Sequence, residues 1–174
     1  MRSRGAAVDG GRMYAAVDEL YRDHGAAATR FAYLLTGSHA RAEDLVQDAF
    51  VRVLARVRRV RDPNLLRAYL TKTLVNLAKN SYRSDDRLRR FVTSGRAAAP
   101  ETAAPPDVEV RDEVHRRLMK LPYRQRAALV LRYCEDRSEA EVAEALGTSS
   151  KAVRSLVGRG IETIRTMNGA ARDE

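Results

Sequence analysis

Apolar side chains recur along most of this chain at intervals of three and four residues, and they scarcely ever alternate. That period belongs to helices with one buried face, so the pattern argues against a sheet protein and predicts an all-α fold. The clearest case is His39 to Val57, where Val46, Phe50, Val53 and Val57 stand at i, i+4, i+7 and i+11. Asp44, Gln47, Asp48, Arg52 and Arg56 fall away from that stripe. Gly37 and Ser38 supply a helix end and the next N-cap, separating this helix from Tyr14 to Thr36, which reads as one or two helices.

The helical pattern breaks once. Between Phe91 and Val110 the chain has Pro100, Pro105 and Pro106, many alanines and little to bury, which predicts a flexible linker between two small helical domains. The expected organisation is a disordered tail over 1–12, a first block over 13–90, the linker over 91–110, a second block over 111–168 and a tail over 169–174. No apolar run approaches the roughly 20 residues that span a bilayer, so membrane insertion is not expected. The single cysteine, Cys134, excludes an intramolecular disulfide, and with three histidines it makes no usual zinc set. A lone cysteine beside Leu129 to Tyr133 is expected to be buried packing, and a reducing cytoplasm is the natural compartment. The chain has no phosphate-binding glycine loop, no His-x-x-x-His pair and no Ser/His/Asp arrangement, so neither an enzyme nor a cofactor is expected. The acidic pairs Asp85–Asp86 and Asp112–Glu113 read as capping or solvated groups, since adjacent helical positions point about 100° apart.

Charge separates the blocks further. Residues 1–90 carry 18 basic and 10 acidic side chains, whereas 91–174 carry 14 and 13, so the net +9 belongs almost wholly to the first block. It is concentrated between Arg52 and Arg90, with 12 basic residues against 3 acidic. There Pro63 is expected to stop one helix, and Leu66, Tyr69, Leu70, Thr73, Leu74 and Leu77 mark the buried face of another from Leu65 to about Arg83. Asn76, Lys79, Asn80, Tyr82 and Arg83 interleave amides and a ring with cations. Amides hydrogen-bond base edges, rings stack on exposed bases and cations hold phosphates, a mixture suited to single-stranded nucleic acid.

In the second block, Asp107 to Leu121 reads as a helix stopped by Pro122, and Arg124 to Tyr133 as another. Ser138 and Glu141 form a capping box, Val142 and Leu146 face inward, small Ala143 permits close approach, and Gly147 closes the helix in the left-handed region. A helix from about Ser149 to Thr166 follows, with Val153, Val157, Ile161 and Ile164 on one side and Lys151, Arg154, Ser155, Gly158 and Arg159 on the other. This order predicts a helix-turn-helix whose second helix enters a major groove. Leu156, at the edge of the apolar stripe, is expected in the core. The stretch Glu135 to Gly147 holds five acidic residues against Arg137, so it should face away from DNA, toward protein. A helix-turn-helix regulator acting without polymerase would explain this block but leave the first unexplained. A nucleic-acid-processing enzyme lacks a visible metal or carboxylate site.

Three segments in order, AEDLVQDAFVRVLARV, LLRAYLTKTLVNLAKNSYR and LPYRQRAALVLRYCEDRSEAEVAEALGTSSKAVRSLVGRGIETIR, resemble bacterial RNA polymerase sigma factors of the extracytoplasmic-function group, the compact type with only region 2 and region 4. Together they span about Tyr14 to Met167 apart from the linker. The resemblance implies that the protein binds core RNA polymerase, at the β′ clamp and the β flap, and directs promoter-specific initiation. It implies an anti-sigma factor as a further partner. It places Asp44, Gln47, Asp48, Phe50 and Val51 at or beside the polymerase contact. Arg61, Tyr69, Lys72, Asn76, Lys79, Asn80, Tyr82 and Arg83 become the minus-ten set, with Asn76 touching a flipped base and the loop Val60 to Leu66 as the specificity pocket. Ser150, Lys151, Arg154, Ser155, Gly158 and Arg159 become the minus-thirty-five set. The chain departs from the family at Tyr69, usually tryptophan, at Leu156, usually arginine, at Gly158, usually larger, and in the loop at Asp62 and Pro63.

Overall fold

The structure is a computed structural model that describes residues 4–57, 62–92 and 109–170. The described residues are helical: α1 (Arg4–Thr36), α2 (His39–Val57), α3 (Pro63–Val92), α4 (Glu109–Lys120), α5 (Tyr123–Leu129), a π-helical turn Val130–Cys134 that continues α5, α6 (Glu139–Leu146) and α7 (Ser150–Ala170). Arg61 and residues 93–108 of the expected linker lie outside the described residues.

Local chemistry sets most of these boundaries. Gly37 has φ +77°, which lets the chain leave α1, and its N–H bonds the Tyr33 carbonyl at 2.8 Å. Ser38 Oγ accepts from the Arg41 N–H at the start of α2. Before α6, Ser138 and Glu141 form the reciprocal capping box, and Gly147 at φ 59° ends the helix. Ser149 Oγ accepts from the Ala152 N–H and caps α7.

Several features differ from the sequence expectation, and α3 also runs past Arg83 to Val92. Helix α1 starts at Arg4, inside the stretch expected as a tail, because a helix anchored by its packed C-terminal half extends at one hydrogen bond per added residue. Pro63 starts α3 instead of only stopping α2: a proline at the first helical position sacrifices an N–H that has no partner there, and Asp62 Oδ1 accepts from the Asn64 N–H as the cap. The stretch Arg124 to Tyr133 does not stay α-helical, and it widens at Val130 into the π turn, closed by the Glu135 N–H on the Val130 carbonyl at 3.1 Å. Cys134, at the end of that turn, is exposed and not core packing. Partial burial and the Glu135 carboxylate raise its thiol pKa, which disfavours the reactive thiolate.

Helices α1, α2 and α3 pack as one bundle around Phe31, Leu35, Val46, Val53, Leu70 and Leu74, and α5, α6 and α7 pack around Val130, Leu131, Val142 and Val153. The blocks are docked on each other, and the buried residues form one cluster. Tyr123 is 5% exposed, and its hydroxyl donates to the Val75 carbonyl of α3 at 2.6 Å. Burial raises the Tyr123 phenol, so it remains a donor. Arg126 is 3% exposed, and its guanidinium donates to the Leu35 carbonyl at 2.7 Å and the Leu121 carbonyl at 3.3 Å. Leu35 lies in the last turn of α1, where carbonyls lack helical partners, and Leu121 just follows α4. One buried cation thus caps the negative ends of two helices from different blocks. The Tyr33 ring extends the contact, stacked between His39 of α2 and His115 of α4 at centroid distances of 4.0 and 4.3 Å.

Candidate nucleic-acid interface

The polar face of α3 follows from its register. Tyr69, Lys72, Asn76, Lys79, Asn80 and Arg83 are spaced by three or four residues, while Leu66, Leu70, Thr73, Leu74 and Leu77 are buried on the core side. Lys72, Asn76, Asn80 and Arg83 are exposed and Tyr69 and Lys79 half-buried, so the stripe runs about 21 Å at 1.5 Å per residue. Arg56 of α2 stands over the Tyr69 ring at 5.5 Å, which fixes the ring with one face against a cation. Tyr82 is 37% exposed and not fully available: its ring lies 5.8 Å from that of Tyr123, with the Arg126 guanidinium 5.6 Å from its centroid.

On α7, Val153 and Leu156 are buried, as expected for Leu156, and Val157, Ile161 and Ile164 are packed against the core. Lys151, Arg154, Ser155, Gly158 and Arg159 are exposed together, with Ser150 half-buried at the helix start. From Lys151 to Arg159 the face is about 12 Å long, close to the width of a major groove. Arg154 is paired with Glu139 of α6 at 2.8 Å, and Arg159 Nε donates to the Ser155 carbonyl. An exposed pair of this kind is worth under about 1 kcal/mol, so Arg154 is readily exchanged onto a phosphate or a base. A Cβ at Gly158 would meet nothing within 4 Å.

Asp44, Gln47, Asp48 and Val51 are exposed on α2, Val51 at 66%. Phe50 is a correction: it is 6% exposed, with its ring edge-on to Tyr21 at 4.9 Å, so it supports this face from the core and does not line it. Its place in the stripe with Val46 and Val53 already carried that signal. Arg126 and Gly160 were missed as structural residues. The first lies in a short helix whose pattern resembles any amphipathic segment, and the second supports close approach of α7 to α5, since a Cβ there would meet Leu129 Cδ1 at 2.8 Å. Among the described residues, no cluster of histidine, cysteine, aspartate or glutamate fits a metal ion, and no helix is long and apolar enough to cross a membrane.

Comparison with known proteins finds two family models along the chain. The family model Sigma-70 region 2 matches residues 20–88, and Sigma-70, region 4 matches residues 111–164. The RNA polymerase sigma-E factor of Streptomyces coelicolor is 30% identical over 153 residues, 85% of this chain and 83% of that protein. The ECF RNA polymerase sigma factor SigE of Mycolicibacterium smegmatis is 31% identical over 154 residues, 85% of this chain but 60% of that longer protein. Among solved structures, CnrH in complex with the cytosolic domain of CnrY superposes with a TM-score of 0.67 at 26% identity, over 95% of each chain. The two family models, in this order, and relatives that align across both blocks place the chain in the extracytoplasmic-function group of RNA polymerase sigma factors.

Proposed function

We propose that this sigma factor binds core RNA polymerase through Asp44, Gln47, Asp48 and Val51 on α2, reads the minus-thirty-five element with α7, and captures unpaired minus-ten bases along α3. The exposed stripe of Lys72, Asn76, Asn80 and Arg83 carries this reading, because a purely solvated helix face needs cations but no amides among them. Flipping a base out of the stack costs a few kcal/mol. Stacking on a ring such as Tyr69 returns about 1–3 kcal/mol per base, and the Asn76 amide adds hydrogen bonds that only an unpaired base offers. The open promoter is stabilised in this way with no covalent step. On α7, Arg154 and Ser155 reach base edges while Lys151 and Arg159 neutralise phosphates, so binding should weaken steeply with salt. The likeness to CnrH, solved with the cytosolic domain of CnrY, supports an anti-sigma protein as a further partner.

The test is reconstitution with core polymerase, followed by gel filtration and run-off transcription on a genomic promoter library. A stable complex that initiates at defined sites is expected. Asn76→Ala should then lose promoter opening, read by permanganate reactivity of unpaired thymines, while keeping polymerase binding. Duplex binding by the protein alone, with no polymerase complex, would instead identify a free-standing regulator.

A further inference from the structure

The acidic strip of the second block, expected to face away from DNA, sends one member to the polar side of α7. Two carboxylates stand in the first turn of α6, and they are used differently. Glu141 turns back on its own helix, where it accepts from the Ser138 N–H and hydroxyl and pairs with Arg137. Glu139 reaches across the turn and accepts from Arg154 Nη1 at 2.8 Å, although the two lie 15 residues apart. Arg154 is exposed on the same face of α7 as Lys151 and Arg159, so this carboxylate belongs to the surface assigned to the minus-thirty-five element. The bond runs from one guanidinium nitrogen to one oxygen, and among the described residues Nε and Nη2 of Arg154 have no other partner.

We infer that Glu139 is a specificity-determining residue, which by holding Arg154 makes that arginine a reader of guanine and not a phosphate anchor. A guanidinium presents its donors in a planar fork, and guanine offers O6 and N7 side by side as acceptors in the major groove. Nε and Nη2 share one edge of the fork, so Arg154 meets a guanine with that edge while Nη1 stays on Glu139. The held side chain is already oriented, which reduces the freedom lost when it docks. A phosphate is treated differently. On approaching Arg154 it also approaches the Glu139 carboxylate, and like charges repel, whereas an uncharged base edge meets no such penalty. Lys151 and Arg159 pair with no carboxylate among the described residues, so phosphate contact falls to them. The first helix of a helix-turn-helix crosses the DNA backbone, so an acid at the start of α6 lowers affinity for all sequences alike and leaves the base contact to decide between them.

This inference rests on the assignment of α7 to the minus-thirty-five element, and its test separates the two. Holoenzyme is reconstituted with core polymerase, and one promoter from the run-off library is randomised across its minus-thirty-five element. Sequencing the transcribed templates gives the base preference at each position, and filter binding of the promoter duplex between about 50 and 200 mM potassium chloride gives the salt dependence. Arg154→Ala should abolish a preference for guanine at one position. Glu139→Gln should weaken that same preference at least about threefold, raise binding to a duplex lacking the guanine, and steepen the salt slope by about 0.9, because the released arginine takes up a phosphate. The double variant should show no preference there, like Arg154→Ala alone. Glu139→Gln with the parent's base preference or the parent's salt slope would overturn the inference. So would an effect of Glu139→Gln that persists unchanged in the Arg154→Ala background, since it would not then act through the arginine. Arg154→Ala that keeps every preference of the parent would instead overturn the placing of α7 on base edges, and this inference with it.

Discussion

Helix α7 turns Lys151, Arg154, Ser155, Gly158 and Arg159 into open solvent, whereas α3, the other helix assigned to DNA, is gripped from two directions. Helices α1 and α2 cover its apolar stripe, and α5 and α6 lie against a second side, where Val75 is 2% exposed and its carbonyl accepts from Tyr123. A helix with one buried face enters a groove as it stands. A helix held on two faces keeps only the remaining side free, and the contacts that hold it join the two blocks. Both helices thus keep an exposed polar face, but only α3 is tied to both blocks.

Substitutions in the interlock should have the largest effect. Arg126→Ala leaves the Leu35 and Leu121 carbonyls without their charged donor in a buried place and removes the cation from the face of Tyr82, which should cost about 3 kcal/mol. Urea unfolding followed by circular dichroism should show a lower midpoint, with the two blocks melting as separate transitions. Arg126→Lys keeps the charge but lacks the planar fork that reaches two carbonyls, so it should recover only part of the loss. A midpoint equal to the parent's would mean that α3 and α7 are not held differently after all.

The contrast between the helices was only half legible in the sequence. The bounds of α2, the capping box of α6 and the turn at Gly147 were readable because each depends on residues within a few positions of one another. The exposure of Lys72, Asn76, Asn80 and Arg83 was readable for the same reason, since a helical period fixes which side faces the core. Docking of the blocks was not. It depends on pairs such as Arg126 with Leu35 and Tyr123 with Val75, whose separations of 91 and 48 residues leave no local pattern. A proline- and alanine-rich linker implies freedom between blocks, yet says nothing about whether they adhere. Phe50 was legible as core from its stripe, and only the family resemblance moved it toward the polymerase face.

Within α7, two glycines two residues apart should respond with opposite sign. Gly160 is buried against Leu129, so Gly160→Val forces the α5 contact open and should cost about 2 kcal/mol by overpacking. Gly158 faces open space, and Gly158→Ala should stabilise the helix by up to about 1 kcal/mol through helix propensity. Thermal melts of both variants check the pair. Destabilisation by Gly158→Ala would show that the α7 surface is covered rather than free. On the α3 side, Tyr123→Phe keeps the ring and removes only the hydroxyl on the Val75 carbonyl. It should cost about 1–1.5 kcal/mol.

The smallest effect is a pH dependence in which two glutamates near α6 act with opposite sign. Glu141 lies at the surface, where the Ser138 hydroxyl and N–H, followed by Arg137, hold its carboxyl at about 2. A folded pKa below the unfolded value of 4.5 means that its contribution is complete above about 4.5 and is lost as the pH falls through 2. Glu141→Gln should therefore melt below the parent at pH 7 by the worth of an exposed cap, about 1 kcal/mol or less, and the gap should close at pH 2 to 3. Glu135, beside the π turn, is pushed the other way: burial raises its carboxyl, against the pull of Arg137, of Arg67 on α3 and of Arg30 on α1. A raised folded pKa favours the protonated form, so its contribution is present at low pH and is lost as the pH rises through the folded value. Glu135→Gln should accordingly leave stability unchanged at low pH and raise it slightly at pH 7. A loss at pH 7 would show that attraction to Arg67 and Arg30 outweighs desolvation, which would make Glu135 one more tie between the second block and α3.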